Sequence, residues 1–511
     1  MKVKKTFYIT TPIYYPSGNL HIGHLYSTTI AWILKNYKNK MNYETKFLTG
    51  SDEHGQKIEK KANEHNMKFQ DYVDMQTSKF IKLWDLYGID YDFFSRTTSK
   101  KHTQCVEKVF NKMLEKDVIY KGIYRGLYSI EDEEFITESQ AIKKDNEFFH
   151  PTSNHKLQII EEESYFFKMS EFSKWLIDYV ENHNEFIVPH KNWSELKSNF
   201  LDKNLEDLSV TRISFEWGIK ISSDPKHVIY VWLDALFNYI SALGYESSED
   251  ENYLKYWKNG DEIVHIVGKE IIRFHCIYWP IFLKSLDIKL PTKIVAHGWI
   301  VTPEGKMSKS KGNVIDPLEL LNDFDKEVIK YYLASKLNIT NDGIFSKDLL
   351  LSVYNSDLVN TIGNLVSRTL AMIDKNFSRP ICFTKTQNEH DVFILNNISE
   401  KFNKYQNYFD DYQISKAFDA MLDLAKDLNK YIDLTMPWTL KDDLVRLEQV
   451  LNILLNGIYS VVAMLEVVMP EHSNKFRELL NISSLNFQNI NDYHKFDEIQ
   501  VQTNQIIFPR K

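Results

Sequence analysis

The chain has 511 residues, of which 43% are hydrophobic and 26% are charged; this composition excludes a disordered or fibrous protein and predicts about three or four structural units. The three cysteines, Cys105, Cys276 and Cys382, are few and odd in number, which argues against a disulfide framework and favours a reducing cytoplasm. The net charge of −8 gives no support to a polyanionic partner, so any nucleic acid would be bound through local basic patches.

The N-terminal part is predicted to alternate strands with helices. Residues 5–10 alternate like a strand, a loop with Pro12, Pro16 and Gly18 follows, and residues 20–37 have helical spacing of apolar side chains. A second strand at 45–48 is followed by a helix from Gln56. This order predicts a parallel, doubly wound α/β sheet. The two prolines also interrupt any secretion signal, and we expect no membrane segment.

Beyond residue 116 the pattern changes twice. Short alternating pieces at 120–130 and 164–169 predict an inserted subdomain with strands, and the buried patterns at 228–232 and 262–267 predict that the first sheet restarts there. From about residue 352 the apolar spacing is helical. Thr439 and Asp442 precede one long helical run and are predicted to cap it.

The loop before the first predicted helix reads Ser-Gly-Asn-Leu-His-Ile-Gly-His at residues 17–24. A loop that leaves a parallel strand and enters a helix presents backbone N–H groups that suit phosphate. His21 and His24 lie on one side of the first turn and can donate to phosphate oxygens, while Gly23 leaves room for a flat adenine. Histidines at a helix start are as often caps as ligands, so this motif alone leaves the function open.

A second motif, Gly-Lys-Met-Ser-Lys-Ser-Lys-Gly, occupies residues 305–312 and places three lysines between two glycines. A solvated surface turn is the alternative to a mobile cationic flap. Together and in this order, the two motifs resemble those of class I aminoacyl-tRNA synthetases, whose split Rossmann-type sheet carries them on either side of ATP. The resemblance implies attack of an amino acid carboxylate on the ATP α-phosphate, with His21, His24, Lys306 and Lys309 stabilising the charge that develops.

Four separated blocks extend the resemblance to the methionyl-tRNA synthetase family over essentially the whole chain. The blocks are residues 11–24, 48–55, 230–235 and 268–275. By position, the family's methionine pocket falls on Ile13, Tyr15, Asp52, Trp232, Ala235, Leu236, Tyr239, Phe274, His275 and Trp279. Aromatic rings with one or two weak donors suit a thioether, and Asp52 suits the α-ammonium. The alternative for each single aromatic residue is an ordinary core position.

The same resemblance assigns contacts to ATP. They fall on Gly18, His21, Gly23, His24, Gly268, Glu270, His297, Gly298, Trp299, Val301 and Lys309. Arg212 aligns with an arginine near the phosphates, for which a planar guanidinium is suited. Glu270 stands where the family pattern has aspartate, which leaves its role open. Magnesium is expected to enter with ATP.

The inserted segment lacks the paired Cys-x-x-Cys of relatives that carry a zinc knuckle. In the comparable places the chain has Ser-Ile-Glu-Asp at 129–132 and His-Pro-Thr-Ser at 150–153. Tetrahedral zinc needs about four ligands, so we predict no structural zinc. The insertion also looks too short for the editing domain of the leucyl, isoleucyl and valyl relatives.

The helical region is expected to bind the anticodon. Asn364 and Arg368 lie four residues apart on one predicted helix face, and Trp438 follows a proline, as in the family. The sequence alone favours a hydrophobic anchor between helices for Trp438, and the resemblance reverses that order. The expected partners are L-methionine, ATP and both initiator and elongator tRNA(Met), for a cytoplasmic and monomeric protein.

The resemblance gives five predicted segments: a Rossmann-type first half (1–115), a connective insertion (116–229), the second half (230–295), a stem-contact region with the lysine motif (296–350) and an α-helical anticodon-binding domain (351–511). Two alternatives stay open. A nucleotidyltransferase of the same superfamily that joins a non-amino-acid substrate to AMP would share the histidine motif, but such proteins are usually much shorter and lack the helical region. A catalytically silent tRNA-binding relative would need a damaged active site.

Overall fold

The computed structural model describes residues 4–132, 134–136, 141–145, 147–202, 205–307, 313–386, 388–502 and 506–510. The strands, labelled in chain order, are β1 Thr6–Tyr14, β2 Glu44–Ser51, β3 Phe93–Arg96, β4 Ile119–Ser129, β5 Glu134–Ile136, β6 Ile142–Lys144, β7 Glu147–Phe149, β8 Gln158–Phe167, β9 Ile187–Val188, β10 Leu208–Ser209, β11 Thr211–Arg212, β12 Lys220–Ile221, β13 Asp224–Ile229, β14 Glu262–Gly268, β15 Lys293–His297, β16 Ile300–Thr302, β17 Gly305–Lys306 and β18 Gly343–Ile344. The α-helices are α1 Ile22–Lys40, α2 Gln56–Glu64, α3 Phe69–Tyr87, α4 Lys100–Glu115, α5 Ser173–Asn182, α6 Lys191–Leu196, α7 Val231–Leu236, α8 Asn238–Ser241, α9 Glu251–Tyr253, α10 Trp279–Ser285, α11 Pro317–Leu320, α12 Lys326–Lys336, α13 Lys347–Val353, α14 Asn364–Asn376, α15 Glu389–Asp410, α16 Ile414–Thr435, α17 Leu444–Leu465 and α18 Pro470–Leu479.

The chain divides into two compact units. Unit 1 combines Met1–Leu20 with Glu44–Ala296, and unit 2 combines His21–Tyr43 with His297–Lys511. Helix α1 therefore belongs to unit 2, although the strands that precede and follow it in the chain belong to unit 1.

The main sheet of unit 1 has the strand order β3-β2-β1-β14-β15-β9. β1 pairs in parallel with both β2 and β14, and β9 pairs in parallel with β15. Phe7, Tyr8 and Ile9 of β1 are fully buried, as expected for a strand covered on both faces of a parallel sheet. The predicted parallel α/β sheet is confirmed, with strands where 5–10, 45–48 and 262–267 predicted them. The bounds of the first two were too short: β1 continues through Pro12, which was predicted to lie in a loop, to Tyr14, and β2 continues to Ser51.

The prediction that residues 228–232 form a strand of this sheet is wrong. β13 ends at Ile229 and pairs antiparallel with β11 and β12 in a separate three-stranded sheet. Tyr230 then caps helix α7, which carries Trp232. A short apolar run has the same appearance in a buried strand and in a buried helix, so periodicity could not separate them.

Between β3 and β14 the chain forms the predicted strand-containing insertion. β4 and β8 pair antiparallel from Ile119 opposite Phe167 to Tyr128 opposite Gln158, with β5 and β10 on the outer sides. The short strand β9, although it comes later in the same stretch of chain, joins the parallel sheet.

Unit 2 is mainly helical after α12, as predicted. Helix α17 is long and apolar enough to cross a membrane by length and composition, but 89% of its most apolar window is buried in the protein, which fits a core helix. Its N-cap is Asp443, whose side chain accepts from Arg446 N. The predicted capping pair of Thr439 and Asp442 is wrong, because Thr439 lies in the preceding 3-10 turn Pro437–Thr439 and the helix starts later.

Candidate active site

The two motif histidines cap helix α1 in unit 2. His21 is the N-cap and its Nδ1 accepts from Gly23 N at 3.1 Å, while His24 Nδ1 accepts from His21 N at 3.0 Å. A neutral imidazole that accepts at Nδ1 carries its proton on Nε2, which makes both Nε2 atoms donors. A Cβ on Gly23 would lie 2.8 Å from His21 Cε1, so glycine is needed for this cap as well as for any adenine.

His297, predicted to contact ATP, lies beside the same helix. Its Nε2 is 2.6 Å from Ser27 Oγ, and Tyr26 packs against its ring at 4.9 Å between centroids. Its Nδ1 is 2.8 Å from Gly298 O, a pure acceptor, so Nδ1 carries the proton and Nε2 accepts. The next glycine is enclosed, since a Cβ on Gly298 would lie 2.3 Å from Asn341 O. Unit 2 thus brings the α1 start and the end of β15 together.

The lysine motif begins in the hairpin of β16 and β17. Lys306 Nζ lies 3.7 Å from the centre of the Trp299 ring, a cation–π contact between a predicted catalytic lysine and a predicted ATP contact, and Val301 pairs with Lys306 across the hairpin. After the motif, Ile22 N at the start of α1 donates to Ile315 O at 3.1 Å, so both motifs reach the same part of unit 2. Lys309 lies outside the described residues.

The predicted methionine pocket gathers in unit 1. Trp232 on α7 stacks on Phe274 with ring centroids 3.5 Å apart and planes 10° apart, and Tyr239 lies edge-on to Trp279 at 6.0 Å. The other members lie on the same elements: Ile13 and Tyr15 at the end of β1, Ala235 and Leu236 on α7, and His275 beside Phe274. Trp232 Nε1 is buried and has no hydrogen-bond partner in the described part of the chain, which makes it a donor for a ligand.

Tyr239 and His275 form a neutral hydrogen-bonded pair. His275 Nδ1 lies 3.0 Å from Ile271 O and therefore donates to it, so its Nε2 accepts from the Tyr239 hydroxyl at 2.7 Å. Burial lowers the pKa of His275 to about 4 and, together with Tyr14 and Asp52, raises the pKa of Tyr239. Both groups are uncharged at neutral pH, and the expected weak donors are engaged with each other or with the backbone.

Asp52 follows β2 in a tightly held loop. Its N–H donates to Tyr14 O at 3.0 Å, and its side chain is 6% exposed. The neighbouring Glu53 carboxylate is bound by Arg96 Nε at 2.7 Å and by the hydroxyl of Thr77 at 2.9 Å. Trp217 Nε1 donates to Glu53 O at 2.6 Å. The carboxylate predicted to take the α-ammonium is therefore carried by a fixed backbone.

Four further predicted residues in unit 1, Gly18, Gly268, Glu270 and Arg212, differ in exposure. Gly18 is partly exposed in the loop after β1, and Glu270 is exposed just after β14. A Cβ on Gly268 would lie 2.3 Å from Glu270 Oε1. Arg212 is fully buried, donates to Ser209 Oγ at 2.8 Å and stacks on Tyr230 at 4.4 Å. Its assignment to the ATP phosphates remains a prediction.

The predicted anticodon residues lie on exposed helix surfaces of unit 2. Asn364 and Arg368 are exposed on α14, and Arg368 pairs with Asp433 near the end of α16 at 3.4 Å. Trp438 is 49% exposed, so it is not enclosed as an anchor between helices. Leu434, Met436, Leu444 and Val445 are also exposed nearby in the chain.

Two groups in the described part of the chain have the spacing of metal ligands. In the first, Glu163, Asp224 and His227 lie close together, but Lys121 already contacts both carboxylates at 3.0 and 2.7 Å. In the second, Asp325, Glu327 and His472 converge, and Glu327 accepts the backbone N–H groups at the start of α18. Hydrogen bonds and lysine already satisfy these carboxylates.

The positions of the missing zinc thiolates hold a hydrogen-bonded cluster instead. Asp132 accepts from the hydroxyls of Ser129 and Ser153 and from His155 Nδ1 at 2.9 Å, and His150 Nδ1 accepts from Ser153 N at 3.0 Å. Sequence reasoning noted the lost cysteines but not this replacement. In the sequence, the sign of this cluster was the spacing of its polar residues, which lie three apart at 129 and 132 and again at 150 and 153.

Sequence reasoning also missed two buried histidine contacts behind the pocket. His265 Nε2 accepts from Trp279 Nε1 at 3.1 Å, and its Nδ1 lies 2.7 Å from Thr10 Oγ. Asp234 bridges His54 and His102, at 2.6 Å each. Asp234 and His54 stand inside matched sequence blocks, so their position in a motif was visible although their partners were not.

Comparison with known proteins identifies the family. The family described as "tRNA synthetases class I (M)" matches residues 7–145 and 144–370. The methionine–tRNA ligase of Mycoplasmopsis pulmonis is 55% identical over 508 residues, covering 99% of both chains, and that of Bacillus subtilis is 41% identical over 519 residues, covering 99% of this chain and 78% of the relative. The structure of Mycobacterium tuberculosis methionyl-tRNA synthetase in complex with methionyl-adenylate has a TM-score of 0.93 at 30% identity and covers 99% of this chain and 100% of that one. The chain therefore belongs to the methionine–tRNA ligases, within the class I aminoacyl-tRNA synthetases.

Proposed function

We propose that the aromatic pocket of unit 1 binds L-methionine and that the α1 start and the β16–β17 hairpin of unit 2 bind ATP. The observation that carries the first assignment is the buried, unpartnered Nε1 of Trp232 beside an apolar stack of rings. A buried N–H without an acceptor is costly, and the carboxylate of a bound amino acid would satisfy it. Asp52 would take the ammonium group, and the rings would pack around the thioether.

For activation, the carboxylate of methionine attacks the α-phosphate of ATP and pyrophosphate leaves, which gives the methionyl-adenylate that the similar Mycobacterium tuberculosis protein binds. The Nε2 donors of His21 and His24 would contact phosphate oxygens, with Lys306 and Lys309 as cations for the leaving group. Mg²⁺ would arrive with ATP. Transfer of the methionyl group to tRNA then releases AMP.

The remaining assignments extend this proposal. Asn364, Arg368 and Trp438 would contact the anticodon of initiator and elongator tRNA(Met) through edges and stacking. The five segment boundaries, the cytoplasmic location, the absence of structural zinc and the monomeric state belong to the same proposal. Light scattering of the purified chain should give one species near its mass of 60.4 kDa.

ATP–pyrophosphate exchange with a panel of amino acids tests the substrate. We expect exchange with methionine, and a preference for another amino acid would contradict the proposal.

Asp52→Asn should raise the KM for methionine by about 10- to 100-fold, because it removes a charged partner of the ammonium. Lys309→Ala should slow exchange by about 100- to 1000-fold, the size of one transition-state donor; near-normal kinetics would remove Lys309 from the mechanism.

A further inference from the structure

A buried carboxylate bridges two histidines next to the aromatic pocket of unit 1. Asp234 is 0% exposed; its Oδ2 lies 2.6 Å from His54 Nδ1 and its Oδ1 lies 2.6 Å from His102 Nε2. An ionised carboxylate only accepts hydrogen bonds, so both ring nitrogens donate to it. His102 Nδ1 in turn lies 2.8 Å from Ser241 Oγ. Each carboxylate oxygen thus has its own histidine.

The Asp234 carboxylate is ionised in this setting. Burial acts to raise its pKa, but the electrostatic interaction with His54 and the hydrogen bonds from both histidines outweigh burial and lower it. Charge-assisted hydrogen bonds of this kind are short and roughly twice as strong as neutral ones. Removing one partner of a buried charge costs more than removing a surface ion pair.

His54 holds one side of the pocket. Its backbone carbonyl accepts from the Tyr15 hydroxyl at 2.6 Å, and its ring packs edge-on against Trp217 at 5.4 Å. Asp52 lies two residues earlier on the same loop, whose middle residue, Glu53, is bound by Arg96. Fixing the ring of His54 therefore fixes the loop that carries Asp52 and the hydroxyl of Tyr15.

Asp234 holds the other side. It lies on helix α7 between Trp232, whose ring stacks on Phe274, and Ala235. One hydrogen bond, from His54 Nδ1 to Asp234 Oδ2, joins the Asp52 loop directly to the helix that carries the Trp232 donor.

We propose that His54 and Asp234 are positioning residues for the methionine substrate: their hydrogen bond sets the separation between Asp52 and Trp232, which hold the two ends of the amino acid backbone. The inference rests on the proposed assignment of methionine to this pocket. His102 uses the opposite oxygen of Asp234 and otherwise bonds to Ser241 on α8, so its contribution is to the stability of the helices rather than to the loop.

The experiment compares methionine-dependent exchange by His54→Leu, His54→Asn and the matched control His102→Leu. His54→Leu should raise the KM for methionine by about 10- to 100-fold, the range for a hydrogen bond to a charged group. Its kcat and its KM for ATP should change by less than about threefold, because the lost interaction holds methionine equally in the ground state and in the transition state. His54→Asn should restore most of the affinity, because its amide nitrogen occupies the position of Nδ1. His102→Leu should lower the thermal midpoint without raising the KM for methionine.

Two results would overturn the inference. One is a KM for methionine that is unchanged in His54→Leu or raised equally in His102→Leu; the other is failure of His54→Asn to restore binding. If His54→Leu does not fold, His54→Gln, which keeps a polar side chain but has no donor at the position of Nδ1, has the same expected effect on the KM. Failure of the proposed function would give different results. Wild type would then lack methionine-dependent exchange, or Asp52→Asn would leave the KM for methionine unchanged. Either result would also remove the basis of this inference.

Discussion

The first turn of α1 shows how a single side chain serves both the fold and the proposed chemistry. Each of His21 and His24 accepts a backbone hydrogen bond at Nδ1, and this acceptance places the proton of the neutral ring on Nε2. The two interpretations open from the sequence, helix cap and phosphate ligand, are therefore compatible. The motif located these residues, but their tautomer depends on backbone geometry that spacing does not contain.

Substitutions at His24 should separate the two roles. His24→Asn keeps an acceptor at the position of Nδ1 and loses the Nε2 donor, so the thermal midpoint should stay near that of wild type. Exchange should slow by about 100-fold or more, as for loss of one transition-state donor. His24→Ala should lose both, with about 1 kcal/mol less stability from the missing cap. Unchanged exchange in His24→Asn would show that the residue is only a cap.

Trp438 should affect charging of tRNA but not activation of methionine. The ring is half exposed, and stacking of a base on an aromatic side chain is worth about 1–3 kcal/mol. We expect Trp438→Ala to raise the KM for tRNA about 5- to 150-fold with unchanged pyrophosphate exchange, while Trp438→Phe keeps most of the affinity. Equal loss in both assays would indicate a folding role.

At the scale of elements, the sequence located the parallel strands, the one at 5–10 from its alternation and those at 45–48 and 262–267 from their buried pattern. It failed at residues 228–232, where the same kind of run ends a strand at Ile229 and begins helix α7. It failed again at the start of α17, where Asp443 rather than an earlier residue is the cap. Within the pocket, the family pattern supplied the aromatic residues, whereas the tie between His54 and Asp234 joins residues far apart in the chain and needed coordinates.

The Asp132 cluster should make the insertion sensitive to acid. Burial acts to raise the pKa of Asp132, but hydrogen bonds from Ser129, Ser153 and His155 outweigh it and lower the pKa. A carboxylate whose folded pKa is lowered stabilises fully above its unfolded pKa, near 4, and this contribution is lost as the pH falls through the folded pKa. Asp132→Asn should therefore loosen the β4–β5 hairpin at pH 7, and the difference from wild type should shrink below about pH 4.

Amide hydrogen exchange of the β4–β5 hairpin, compared between Asp132→Asn and wild type at each pH, measures this effect. The same measurement after treatment with EDTA tests the proposed absence of zinc: exchange protection should be unchanged, and activity should be unchanged once EDTA is removed and Mg²⁺ is supplied with ATP, because hydrogen bonds rather than a metal hold the cluster. Loss of protection on chelation, or zinc near one equivalent per chain, would contradict the prediction.

For the whole molecule, the acidic net charge of −8 coexists with membership of a family that acts on tRNA. Overall charge therefore said nothing about the partner, and the useful information lay in the motifs. Family resemblance predicted the fold class correctly, but the interleaving of the two units along the chain has no local sequence signature.

Salt should weaken the charging of tRNA much more than the activation of methionine. Raising NaCl from about 50 to about 200 mM should weaken tRNA binding by at least about tenfold, because phosphate contacts release counterions. Methionine-dependent pyrophosphate exchange without tRNA should change far less, since Asp52, the proposed partner of the ammonium group, is buried. A charging reaction insensitive to salt would mean that the backbone of tRNA contributes little.

The membership of α1 in unit 2 affects how the protein is made. On the ribosome, α1 emerges between two strands of unit 1, but its own partners come much later: its Tyr37 ring stacks on Phe409 and its Lys40 pairs with Glu466. Until then, apolar side chains that are fully buried in the finished protein, such as Ile22, Leu25 and Leu34, have nothing from their own unit to cover them. Helix α1 therefore completes its contacts only after Phe409 and Glu466 have been made, and we expect the incomplete chain to be more prone to aggregation than the finished protein.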